Sequence, residues 1–283
     1  MAGREGTSSF RTIAVLTLLP IAGLCVFLAW MIARTYVPET LSPRRARVGS
    51  KRKPELPAVP KRAAAGPRIA LIIDDVGFDG QHLDVAASID PNFNFAILPN
   101  PPHAAEAAEM LHGRGFEILC HLPMEPRDDR VSPGAHAVLT SMSDAEIAGT
   151  TRADIAAVPH AQGVNNHMGS LATSDRRVMR TVLRALPPGM YFIDSVTDGA
   201  TVAMKVAREM NVRTARRQVF LDDVQTDDAV RRQLAQLAAA AKANGVAVGI
   251  GHPHPVTLRV LAREVPRLRE EGFTFVRASE VVR

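Results

Sequence analysis

The chain has 283 residues, 46% of them apolar, and a formal net charge of +5, enough for one large domain or two small ones. The charge is uneven: residues 1–67 hold 11 Lys/Arg against three Asp/Glu, and the remainder holds 23 against 26. The basic excess is therefore confined to the N-terminal arm, which excludes a nucleic-acid grip by the folded part. Two cysteines exclude a disulfide framework.

In chain order, residues 1–11 form a short tail. Residues 12–33, "TIAVLTLLPIAGLCVFLAWMIA", carry no charge and are long enough to span a bilayer at about 1.5 Å per residue. The run is longer than a secretory apolar core and has no small-x-small cleavage pattern, so an uncleaved anchor is expected. Residues 34–67 contain six prolines (Pro38, Pro43, Pro54, Pro57, Pro60 and Pro67) among basic residues, the composition of an extended, disordered tether.

From residue 68 to 283 apolar runs alternate with amphipathic stretches. Strands are predicted over 68–74, 93–98, 116–121, 163–167, 190–194, 212–220, 246–251 and 273–277. "SDAE" at 143–146 has the form of a capping box. Ser174 is placed to cap the next helix and Thr226 the one after it, which Gly245 would end. The last helix, about 256–271, contains Pro266, where a kink is expected. Repeated βα units with apolar strands imply a parallel sheet covered by helices. The expected fold is an α/β barrel, distorted, of seven to eight parallel strands. An open doubly wound sheet is the alternative, but its glycine-rich phosphate loop is absent, and "DDVGFDG" stands there instead.

The predicted strand ends carry Asp74 and Asp75, then His121 followed by Glu125. After them come Asn165, Asn166, His167 and Ser170, then Asp194 and Ser195, then Asp222 and Asp223, then His252 and His254. A lone histidine or aspartate at a strand end is ordinarily structural, and Asp222–Asp223 reads as no more than a helix cap. Convergence of carboxylates and histidines on one barrel rim is the pattern of an active site. Aspartate with histidine suits a borderline divalent cation such as zinc, which would also offset the repulsion within Asp74–Asp75.

"IIDDVG", "HLPMEP", "GVNNHMGS", "FIDSVTDG" and "GHPHPVTL", in that order, resemble the divergent polysaccharide deacetylase family, a remote branch of the NodB-like carbohydrate esterases. The resemblance covers residues 68–283 and implies a distorted (β/α) barrel, an envelope location and a divalent-metal site. It implies Asp74 as catalytic base, Asp75 and His121 as metal ligands and His252 as general acid. The second histidine of the better-studied branch is replaced by Glu125, so His167 is the expected third ligand, with Glu125 the other candidate. Asn166 and Ser170 are expected to orient ligands or substrate, and Asp194 to hold the His252 tautomer.

The expected function is metal-dependent deacetylation of an N-acetylated cell-envelope polysaccharide. The alternative is a non-catalytic envelope binding or scaffold protein that retains the site, in keeping with few aromatic residues for sugar stacking. Arg34 and the cluster Arg44 to Lys53 favour a cytoplasmic body. That cluster begins ten residues beyond the span, while Arg4 and Arg11 flank it on the short side. A single-pass inner-membrane protein with its domain in the periplasm is therefore expected.

Overall fold

The computed structural model describes residues 66–283. The expected tail 1–11, anchor 12–33 and nearly all of the tether 34–67 lie outside the described residues. Among those described, no helix is long and apolar enough to cross a membrane.

Nine parallel strands make one sheet: β1 (Arg68–Val76), β2 (Asn94–Ile97), β3 (Glu117–Met124), β4 (Ala161–Met168), β5 (Tyr191–Asp194), β6 (Thr214–Arg216), β7 (Val219–Phe220), β8 (Val246–Gly251) and β9 (Thr274–Phe275). The order is β6-β5-β4-β3-β2-β1-β8-β7, with β9 beside β1. Seven helices connect them: α1 (Leu83–Ile89), α2 (Ala104–Gly113), α3 (Asp144–Ala157), α4 (Arg176–Ala185), α5 (Ala203–Glu209), α6 (Asp227–Asn244) and α7 (Pro255–Glu270).

The predicted strand 212–220 is two short strands at opposite ends of this order. Arg217 N–H donates to the Asp194 carbonyl, and Gln218 N–H to the Val248 carbonyl. The segment thereby bridges β5 and β8, and the sheet curls into a distorted barrel.

Strand alternation builds two apolar layers. Ala70, Ile72, Leu119, Ile193, Val248 and Ile250 fill the barrel interior. Ile69, Leu71, Ile73, Ile118 and Phe192 pack outward under the helices. Burial on both faces is why these strands read as unbroken apolar runs.

The N-terminal end of the barrel is filled by the C-terminal turn Ala278–Glu280. There Glu117 accepts hydrogen bonds from Tyr191 Oη and from the Ser279 backbone and hydroxyl. The opposite end is left for the site.

The helix signals have local causes. Ser143 and Glu146 form the capping box of α3, Thr226 caps α6, and Gly245 ends it at φ 76°. Asp175 rather than Ser174 caps α4, because its carboxylate reaches two backbone N–H groups. Ser174 instead closes a 3-10 turn. α7 continues as one helix through Pro266.

Candidate metal centre

The register of β1 against β2 shifts between Ile73 and Val76, and Asp75 has φ 57°. In a regular strand consecutive side chains point to opposite faces. The irregularity turns Asp75 so that both carboxylates of the pair serve one site, a recurrent use of strand bulges. Aspartate tolerates this left-handed backbone better than most residues.

Asn165 on β4 joins the two halves of the site. Its Nδ2 donates to Asp74 Oδ1 and Oδ2 at 2.8 and 3.0 Å, so its Oδ1 must be the acceptor from His121 Nδ1, 2.8 Å away. That fixes the His121 tautomer and turns the Nε2 lone pair toward Asp75. His121 Nε2 lies 3.1 Å from Asp75 Oδ1, and His167 Nδ1 lies 2.9 Å from the same oxygen and 3.2 Å from His121 Nε2.

These donors meet the requirements of a cation site. Asp75, His121 and His167 each offer one ligand atom within a common small volume. Asp75 Oδ1 is buried with no aligned hydrogen-bond donor among the described residues. A tetrahedral ion with bonds of about 2.0–2.2 Å holds its ligands roughly 3.4 Å apart, close to the spacings above. Two imidazoles with one carboxylate suit zinc or a similar divalent ion.

A second carboxylate–imidazole unit stands beside the first. His252 Nδ1 donates to Asp222 Oδ1 at 2.9 Å. The other oxygen of Asp222 accepts from the His252 backbone N–H and from Thr257 Oγ1, each at 2.7 Å. His252 Nε2 faces Asp75 Oδ2 at 3.6 Å. Asp222, His252 and His254 also lie within metal-binding distance of one another, but both Asp222 oxygens are already committed.

The electrostatics follow from burial and pairing. Burial pushes the Asp74 carboxyl up, against the pull of His121 and His252. Burial also opposes the charge of Asp75, but the imidazoles of His121 and His167 outweigh it and hold that carboxyl far below its usual range. For His252, burial disfavours the cation, yet Asp222, Asp74 and Asp75 prevail and raise it to about 9.

The structure thus brings Asp74, Asp75, His121, His167 and His252 together, and it corrects the roles expected of others. Asp194 does not hold His252: it accepts from Val196 N–H and Thr201 Oγ1 on its own loop, and Asp222 makes the His252 contact. Glu125 is not among the clustered donors; its Oε2 instead accepts from the Thr140 backbone and hydroxyl, each at 2.6 Å. Ser170 accepts from the Arg127 backbone, away from the cluster.

Asn166 ties Met168 O to Ser195 N–H, bracing the turn that follows His167. Asn165 and Asp222 carry more of the site than their sequence positions suggest. For Asn165 the available signal was parity, since it lies two residues before His167 on one strand face. Asp222 offered no such signal.

A sequence model of the divergent polysaccharide deacetylases matches residues 71–282. The protein YibQ of Escherichia coli K12 is 38% identical over 216 residues, 76% of this chain and 67% of that protein. A Haemophilus influenzae Rd protein is 34% identical over 206 residues, 72% of this chain and 73% of its own length. Among solved structures, an Agrobacterium tumefaciens C58 protein aligns with a TM-score of 0.74 at 20% identity, covering 79% of this chain and 92% of that one.

Proposed function

The chain belongs to the divergent polysaccharide deacetylase family, and from that membership we propose that it is a metal-dependent hydrolase removing N-acetyl groups from a cell-envelope glycan. The observation that carries this reading is the convergence of Asp75, His121 and His167 on one point beside a separately held aspartate. A bound zinc or similar ion would supply Lewis acidity to the amide carbonyl and to water.

The chain's own residues would do the rest. Asp75 Oδ1, His121 Nε2 and His167 Nδ1 hold the ion. Asp74, fixed by two hydrogen bonds from Asn165, takes a proton from water at its free lone pairs. His252, kept protonated by Asp222, gives a proton from Nε2 to the departing amine. The buried setting, with Asp74 2% and His121 3% exposed, keeps bulk water from competing for these protons.

Metal analysis of the purified protein, with activity on an N-acetylated glycan, tests the proposal. About one equivalent of divalent metal is expected, lost in Asp75→Ala and kept in Asp74→Asn while turnover falls. Metal-free protein of unchanged stability would refute it. We assign the domain to the periplasm, tethered to the inner membrane through residues 12–33, because the glycan lies there. A reporter active only after export, fused after Arg283, should be active, and a silent one refutes the assignment.

A further inference from the structure

A cleft of about 500 Å³ opens onto the metal centre from one side, with Asp75 and His167 at its inner end. Its walls include Phe78, Leu98, Pro101, Pro123, Pro133 and Ala135. Apart from the two metal-centre residues, no charged side chain lines it, and its remaining polar side chains are Asn100 and Ser132. Asn100 spends its Nδ2 on the Ala135 carbonyl, 2.9 Å away, which holds the far wall in place. Such a lining offers little to the hydroxyls of a sugar and nothing to an anion. It suits a neutral, apolar chain.

The topology says which end of a substrate this is. The walls come from the loops after β1 and β2 and from β3 with its following loop. β1 has β2 on one side and β8 on the other, and His252 and Asp222 stand at the β8 side, outside the cleft lining. If His252 protonates the leaving amine, the amine lies toward β8, and the acyl group lies on the opposite side of Asp75, in the cleft. An acetyl methyl fills about the volume of one water, roughly 30 Å³, and leaves most of this space empty.

We propose that the cleft is an acyl-chain subsite, so that the same centre, besides N-acetyl, accepts N-acyl groups with a longer apolar chain and binds them more tightly. The inference rests on the hydrolase reading above. In the overall reaction the water oxygen bonds to the acyl carbon, the C–N bond breaks and both water protons pass to the nitrogen, giving an alkanoate and an ammonium.

The test is binding of straight-chain alkyl hydroxamates, from aceto- through butyro- and hexano- to octano-, to the full zinc-loaded chain in detergent. Each carries the same metal-binding head, so chain length alone varies. Affinity should rise roughly fourfold per methylene buried, and the rise should flatten in Ala135→Trp, which narrows the cleft. Equal affinity at all lengths in zinc-loaded protein overturns the subsite and leaves the hydrolase reading standing. A rise that persists unchanged in Ala135→Trp puts the chain elsewhere and also overturns it. Protein that takes up no zinc overturns both.

Discussion

Asp154, on the inner face of α3, is 2% exposed, and its Oδ2 has no hydrogen-bond partner among the described residues. Burial pushes its carboxyl from the usual 3.8 up to about 7. The native state therefore keeps a proton that the unfolded chain releases at about pH 4. Between those values the unfolded state binds fewer protons, so stability falls as pH rises from about 4 to about 7, then levels off. Three pH units correspond to at most about 4 kcal/mol. Asp154→Asn removes the titration and keeps the shape. Urea denaturation of both proteins, followed by circular dichroism from pH 4.5 to pH 8, isolates the effect, since other groups cancel in the difference. The variant should gain on the wild type from pH 4.5 to about pH 7 and no further above it, by on the order of 2–3 kcal/mol in total. A difference that stays flat within about 0.5 kcal/mol would refute the argument, because a carboxyl ionised in both states cannot produce the slope.

Four more outcomes follow from the site and the barrel. Asp222→Asn removes the charge that raises His252, so its pKa should drop, the alkaline limb of kcat/KM should move to lower pH, and turnover should fall by about 10²-fold or more. Asp194→Asn should leave that limb in place. Asn165→Ala strips partners from both Asp74 and His121, and competition with a chelator should reveal a loss of metal affinity of roughly 10–100-fold. Gly163→Ala would drive a Cβ into the fully buried Tyr191 ring; the urea midpoint should fall by the equivalent of about 1–3 kcal/mol, with metal ligation unaffected in the protein that remains folded.

The sequence by itself determined most of the elements and which acids and histidines reach one rim. Strand β1 is legible because five of its first six residues are apolar, and α3 and α6 because their caps and stops sit within a turn of the helix they bound. The order of motifs was enough to bring Asp74, Asp75, His121, His167 and His252 to one rim, since strand ends in a parallel barrel share a face. Tertiary structure decided the partnerships. Asp194 and Asp222 look alike as acids after a strand. Only the strand order, which pairs β7 with β8 and β5 with β4 and β6 instead, gives Asp222 rather than Asp194 to His252. Glu125 sits four residues past His121, as the motif demands, but β3 runs on to Met124 and delivers Glu125 to Thr140. The single predicted strand 212–220 splits because its two ends are claimed by different neighbours. Caps and apolar alternation are interactions between residues close in the chain, so sequence carries them. A hydrogen-bond partner across the barrel depends on register and on how the sheet curls, which the packing of the whole domain sets.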